Sequence, residues 1–304
     1  MKELVVISGK GGTGKTSIVA SFAVLARKAV LADCDVDAAD LHLVLEPRIV
    51  QCSQFSGGSR ARIMPGHCTA CGKCEEVCRF DAIFHDGPGN GRVEKTFRVD
   101  PIACEGCGVC NWFCAESAIE FAPANNGEWY ISETRHGPMV HAKLGIAEEN
   151  SGKLVSLVRA EAKKLAAKRK LDLAIIDGSP GIGCPVIASI TGADLVLVVT
   201  EPTLSGLHDL GRVTELTRHF NIKTLVCVNK WDLNAKLTTQ IEADARRVGV
   251  EAVGRIRYDR AVTEAQINRQ ALVEYTEVDA AADTKELWSQ VSAKLGELSP
   301  LTIP

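Results

Sequence analysis

An α/β fold, with a doubly wound and mostly parallel sheet interrupted by a small α+β insert, follows from three observations. Apolar runs at residues 4–7, 29–32, 173–176, 194–200 and 225–229 alternate with longer helical patterns. Uninterrupted apolar runs are what strands buried on both faces of a parallel sheet require. The first run passes straight into a glycine-rich loop ending in Lys15 and Thr16, the join at which open α/β sheets bind phosphate. Eight of the twelve cysteines fall in two runs of identical spacing, Cys68-x2-Cys71-x2-Cys74-x3-Cys78 and Cys104-x2-Cys107-x2-Cys110-x3-Cys114, where the alternation stops. The chain therefore divides into a discontinuous frame, residues 1–61 and 122–304, and an insert, residues 62–121.

The frame opens as strand, loop and helix. In Ser8-Gly-Lys-Gly-Gly-Thr-Gly-Lys-Thr16, residues Gly9, Gly11, Gly12 and Gly14 let the backbone turn its N–H groups inward around phosphates. Thr13 lies within that cradle, Lys15 reaches the outer phosphates, Thr16 offers its hydroxyl to Mg2+ and Ser17 begins the helix. The second strand ends in Asp33-Cys-Asp-Val-Asp37, where Asp35 is the candidate to position an attacking water or a water on Mg2+. A helix over 152–169 leads to the strand that ends at Asp177, a second Mg2+ carboxylate, followed by the turn Gly178-Ser-Pro-Gly181. Further on, Asn229-Lys-Trp-Asp232 matches the pattern by which many GTPases read guanine, so Asn229 and Asp232 are candidate base contacts and the base is not settled by pattern alone.

The cysteine runs belong to an internal repeat, since Cys78-Arg-Phe-Asp-Ala-Ile83 aligns with Cys114-Ala-Glu-Ser-Ala-Ile119 at an offset of 36 residues. Two-residue gaps let one tight loop present three thiolates to a cluster while the fourth comes from elsewhere. Zinc sites or disulfides are the alternatives, but four-cysteine zinc modules pair widely separated knuckles instead of packing their ligands into eleven residues. Cys34, Cys52 and Cys227 read as structural thiols.

Composition narrows the function classes. A net charge of −3 gives no polyanion-binding signal, and hence no nucleic-acid partner. Residues 67–121 carry five Lys/Arg against nine Asp/Glu, a charge of −4. No apolar stretch is long enough to span a bilayer, and the N-terminus enters a strand without a basic leader, so a cytoplasmic address with reduced thiols is expected. Near the C-terminus Leu287, Trp288, Val291 and Leu295 form one helical stripe among nearly cancelling charges, which suits packing on the sheet better than a stable membrane anchor.

Lys10, ahead of Gly-Gly-x-Gly-Lys-Thr, resembles the extra lysine of the deviant Walker A motif in the MinD/ParA/Mrp and nitrogenase iron-protein class. That resemblance implies an ATP-dependent homodimer in which Lys10 reaches the partner's nucleotide, with Asp33–Asp37 as switch I and Asp177–Gly181 as switch II. It also favours adenine over guanine, although Ile256-Arg257-Tyr258-Asp259 lacks the proline usual in the second base-contact segment. Cys184 stands seven residues after Asp177, the offset of the cluster-ligating cysteine in nitrogenase iron protein. The cysteine runs resemble bacterial two-cluster ferredoxins, except that Arg79 and Ala115 replace the usual proline. The resemblance implies Cys68, Cys71, Cys74 and Cys114 on one [4Fe-4S] cluster, and Cys104, Cys107, Cys110 and Cys78 on the other. Residues 133–155, with His136, His141 and Glu148-Glu-Asn-Ser-Gly-Lys153, resemble the segment after the insert in MinD-superfamily ATPases that contain a ferredoxin domain. The two histidines read as loop residues.

Together these resemblances imply a dimeric protein that binds and hydrolyses ATP with Mg2+ and couples nucleotide state to electron transfer, with an unidentified redox protein as partner. An ATPase that assembles or delivers a metallocofactor to a partner is the alternative. A MinD-like positioning ATPase is a third, against which the neutral tail speaks.

Overall fold

The computed structural model describes residues 1–145 and 152–298; most of the Glu148–Lys153 run lies outside them. Strand β1 (Lys2–Ser8) is buried from Glu3 onward. It pairs in parallel with β10 (Leu173–Asp177) on one side and β11 (Leu195–Thr200) on the other. Beyond β11 lie β12 (Thr224–Asn229) and β13 (Glu251–Ile256), and beyond β10 lies β2 (Val30–Asp33), all parallel. These strands are the apolar runs of the sequence, and their side chains are shielded on both faces because helices cover both. Strand order reverses on the two sides of β1, which opens a crevice at the carboxyl ends of the strands. Ser8, Asp33, Asp177 and Asn229 are the last residues of β1, β2, β10 and β12.

Helix α1 (Lys15–Ala26) buries Ile18, Val19, Phe22 and Ala23 against this sheet. Helix α11 (Ala280–Glu297) buries Leu287, Val291 and Leu295, and Trp288 meets Phe22 with ring centroids 4.9 Å apart, so the C-terminal stripe packs on the sheet as expected. The remaining helices of the frame are α2 (Leu41–Leu45), α5 (Lys153–Arg169), α6 (Cys184–Ile190), α7 (Leu204–His219), α8 (Ala235–Arg247), α9 (Ala261–Ile267) and α10 (Leu272–Tyr275). Arg159 of α5 is buried; it donates to the carbonyls of Ala188 and Thr191 at 2.7 and 2.8 Å and pairs with Glu3 of β1 at 2.9 Å. One cation thereby ties the C-terminal end of α6 to the central strand.

The sheet extends past β2 in a way the sequence did not announce. β9 (Gly137–Leu144) pairs in parallel with β2, followed by β8 (Gly127–Thr134) and the edge strand β3 (Arg48–Phe55), giving nine strands. Cys34 and Cys227 are buried as expected, but Cys52 is exposed, as is most of the edge strand β3 that carries it. His141 is a strand residue of β9, not a loop residue, bonded to Ser132 at 2.9 Å and stacked on Tyr130. His136, at the turn between β8 and β9, bonds Glu274 at 2.8 Å.

The chain separates into two compact units. The first takes in Met1–Ser53, Trp129–Lys143 and the described residues from 152 onward, and the second is built chiefly on Gln54–Glu128. In the second unit β4 (Gly58–Ile63) pairs antiparallel with β7 (Ile119–Ala124), and β5 (Ile83–Gly87) pairs antiparallel with β6 (Thr96–Val99). Two one-turn helices, α3 (Lys73–Glu76) and α4 (Val109–Trp112), lie inside the two cysteine runs. Ala61, Ile63, Ile83, Phe97, Ala118 and Ile119 form its core together with Cys68 and Cys110.

Candidate nucleotide-binding site

A cleft of about 420 Å³ lies against the glycine-rich loop and the start of α1. Gly11, Gly12, Thr13, Gly14, Lys15, Thr16 and Ser17 line it, as do Asp35, Asn229 and Lys230. Its far wall is Arg257, Tyr258, Asp259 and Gln266. Gly12 and Gly14 hold φ of +80° and +85°, the left-handed conformation that residues with a Cβ avoid. At Gly14 a Cβ would also stand 2.4 Å from Asn229 Nδ2, which donates to the carbonyl of Thr13 at 2.7 Å. Asn229 thus braces the loop from the end of β12. Asp232 accepts the Tyr258 N–H at 2.7 Å, joining the two candidate base-contact segments. Gln266 Nε2 bonds Ser17 Oγ at 2.9 Å, a cleft contact that no motif in the sequence signals. Helix α1 starts at Gly14 with no side-chain cap and no acidic residue in its first turn.

Below the loop three carboxylates surround one ammonium. Lys15 Nζ bonds Asp177 and approaches Asp35 Oδ2 at 3.2 Å, while Thr16 Oγ1 donates to Asp177 Oδ2 at 2.8 Å. The backbone N–H of Asp35 donates to Asp33 Oδ1 at 3.2 Å. Burial opposes the charge on Lys15, but Asp177, Asp35 and Asp33 outweigh it and raise its pKa. Asp33 is pushed well above the ordinary carboxyl range by burial and by the Asp177 charge, and Asp35 is raised chiefly by burial, with Lys15 opposing. Among the described residues, Asp33 Oδ2 and Asp35 Oδ1 are buried without a hydrogen-bond partner. Three carboxylates against one ammonium, with two bare oxygens, leave an excess of negative charge that a hard divalent cation such as Mg2+ would relieve.

Lys10 does not point into the cleft. Its Nζ lies 2.5 Å from Glu201 Oε1 and 3.0 Å from Ser205 Oγ. Glu201 also pairs with Lys230 at 3.3 Å, and Lys230 Nζ donates to the carbonyl of Gly12 at 3.1 Å. Burial works against ionisation of Glu201, but the hydrogen bonds from Lys10 and Lys230 prevail and lower its pKa. Glu201 follows β11, far from any recognised motif, and sequence reading passed over it.

In the second unit all eight run cysteines are free thiols, and so are the other four in the chain. Cys68, Cys71, Cys74 and Cys114 line one small cavity with Ile63 and Phe97. Burial pushes the Cys74 thiol up to about 11, a backbone N–H opposing and Cys68 adding to the shift. Cys110 is raised mainly by burial, a backbone N–H opposing and the nearby Cys104, Cys107 and Cys78 adding to the shift. Among the described residues no group of three or more His, Cys, Asp or Glu is arranged to hold a metal ion as the chain stands. Cys184 is exposed at the first position of α6.

Comparison with known proteins agrees with the nucleotide-site geometry. An uncharacterized protein of Methanocaldococcus jannaschii, MJ0578, is 38% identical over 236 residues, 76% of this chain and 79% of that protein. A second, MJ0579, is 25% identical over 260 residues, 82% of this chain and 89% of that protein. Among solved structures, the cell division ATPase MinD of Pyrococcus furiosus superposes with a TM-score of 0.57 at 19% identity, covering 96% of this chain and 99% of that one. The septum site-determining protein MinD of Pyrococcus horikoshii, complexed with Mg-ADP, gives 0.56 at 18% identity over 98% and 99%. These superpositions show a shared fold. Residues 4–273 match the family described as CbiA, the CobQ/CobB/MinD/ParA nucleotide binding domain, and the chain belongs to that family.

Proposed function

We propose that this protein is a homodimeric, ATP-hydrolysing iron-sulfur protein in which nucleotide state governs electron transfer through two [4Fe-4S] clusters to a redox partner. One observation carries the reading: three thiols of the first cysteine run and the last thiol of the second, Cys68, Cys71, Cys74 and Cys114, line a single cavity. An exchanged fourth ligand of this kind is the arrangement used by two-cluster ferredoxins. Cys104, Cys107, Cys110 and Cys78 would hold the second cluster. Bound there, the clusters would supply one-electron chemistry at a potential set by their surroundings, within roughly −700 to +450 mV.

On the nucleotide side Lys15 must leave Asp177 to meet the outer phosphates, freeing Asp177 and Thr16 to hold Mg2+. Asp35, whose Oδ1 is unpartnered, would orient the attacking water. Lys10 is held by Glu201 within its own chain, so its use on a partner's nucleotide requires that pair to open. Asn229, which lines the cleft, would contact the base.

The test is anaerobic purification followed by iron analysis and EPR of the reduced protein, with and without MgATP, beside a Lys15→Ala control. Expected are about eight iron atoms per chain and a MgATP-dependent change in the spectrum or its reduction that Lys15→Ala abolishes. Spectra indifferent to nucleotide overturn the coupling. Iron that passes quantitatively to an apo-protein on ATP addition replaces electron transfer with cofactor delivery.

A further inference from the structure

Helices α3 and α4 are one element written twice. Gly72 and Gly108 open them with φ of 79° and 77°, and left-handed residues recur at Ala70 and Gly106 and at Asp81 and Ser117, each pair 36 residues apart. Inward positions agree between the copies: Ala82 and Ala118 are each 2% exposed, Ile83 and Ile119 4% and 5%. Outward positions do not. In α3, Lys73 and Glu76 face solvent and pair at 3.0 Å. Their counterparts in α4 are Val109 and Trp112, and Phe113 stands where the first copy has Val77. Positions i, i+3 and i+4 share one helical face, and here they are 39%, 88% and 52% exposed. The first copy shows that this backbone accepts a solvated ion pair at the first two positions, so folding does not call for Val109 and Trp112. Leaving an indole almost wholly in water is unfavourable in proportion to its area, and an apolar group that folding does not require marks a contact surface.

We propose that the Val109–Trp112–Phe113 face of α4 docks a second protein, an electron-transfer partner whose contact patch is apolar at the centre and ringed by Lys and Arg. The class of partner rests on the reading of the second unit as a cluster carrier. Its charge follows from the stretch of chain that carries α4. Residues 99–121 contain Asp100, Glu105, Glu116 and Glu120 and no Lys or Arg, the six basic residues of the insert all lying earlier in the chain. A second copy of the same face would set these carboxylates against their own kind, and an anionic lipid surface would meet the same repulsion. A basic rim complements them and steers encounter. Cys110 lies on the same helix, turned inward at 8% exposure, so a protein seated on Trp112 stands beside the second cysteine run.

The test is calorimetric titration of ferricytochrome c, a small redox protein whose haem edge is ringed by lysines, into the anaerobically purified protein at low salt. The variant is Val109→Lys/Trp112→Glu, which reproduces the α3 pair and leaves net charge unchanged, so only the apolar contact is removed. Affinity is expected to fall about tenfold or more, with circular dichroism and iron content unchanged. Should the double variant fold poorly, Trp112→Gln is expected to show the same direction of loss. Equal affinity of wild type and variant, or no binding by wild type, overturns the proposal. So does a dimer in sedimentation velocity that the variant abolishes, which assigns the face to a second copy, or Trp112-dependent flotation with phosphatidylglycerol vesicles, which assigns it to a membrane. Iron content separates the two readings. Iron-poor protein whose cytochrome binding still depends on Trp112 keeps the docking face and loses its redox role, whereas iron-replete protein with unchanged binding loses only the docking face.

Discussion

Asp33 has no solvent exposure, and its Oδ2 meets no donor, yet it sits beside two further carboxylates that share one lysine. Such a charge excess is tolerable only if a proton or a cation relieves it, which is why Mg2+ and Lys15 are read as one electrostatic unit. His141 presents the opposite case, a base kept neutral. Burial, with His42 adding to it, lowers its pKa from 6.5 to about 4. Above the upper value neither folded nor unfolded chain binds the proton. Between the two values only the unfolded chain does, so stability falls as pH falls across that window, by up to about 3 kcal/mol. Urea unfolding at neutral pH and near pH 5 is expected to show this loss, and His141→Gln to show a smaller one. A larger loss in the variant would contradict the assignment. The strand position of His141 was not legible, because the short stretch around it carries no clear alternation to separate strand from loop.

At the scale of elements, the turn from β1 into α1 is held by two left-handed glycines and by the side chain of Asn229 from β12. Gly14→Ala would place a methyl group on that side chain and force a strained φ. The expected result is a loss of about 1–3 kcal/mol in stability and at least about tenfold in nucleotide affinity, read by thermal unfolding and by titration of a fluorescent ATP analogue. Gly11, whose added Cβ would meet nothing within 4 Å, supplies the control: Gly11→Ala should be much milder in stability. If the two variants behave alike, the Asn229 brace is not what shapes the loop. This turn was legible in the sequence because its glycines, lysine and threonine each have a local reason to be there. β3 was not, since Arg48–Phe55 is exposed over most of its length and carries no alternation of apolar and polar residues. The Lys10–Glu201 pair was hidden for another reason: its partners are far apart in sequence, and only the closing of the sheet brings them together.

For the whole molecule, ligand binding and folding share one equilibrium. MgATP at about a hundred times its Kd should stabilise the nucleotide-binding unit by about 2.7 kcal/mol, a rise of roughly 5–10 °C in Tm for a unit of this size. A chelator should remove most of that gain, because without the cation the phosphates meet Asp33, Asp35 and Asp177 directly; scanning fluorimetry with ATP, with ATP and EDTA, and with Mg2+ alone checks it. An undiminished shift in EDTA would separate the carboxylates from the nucleotide. The parallel order of the sheet was legible because each buried strand had to be a continuous apolar run. The extent of the second unit was less so: the cysteine spacing announces a repeat, but not that β4 and β7 close around it from outside both runs.

Helix α1 begins without a capping side chain and without an acidic residue in its first turn. Four backbone N–H groups at a helix start need acceptors, and among the described residues no capping side chain supplies one there. A phosphate in the cleft would complete the helix, as a serine or aspartate does elsewhere. A bound nucleotide would then cap α1 as well as fill the cleft, at the turn that carries Lys15, Thr16 and Ser17. Ser17 is also the residue that Gln266 reaches, so the same hydrogen-bonded turn joins the phosphate end of the cleft to its far wall.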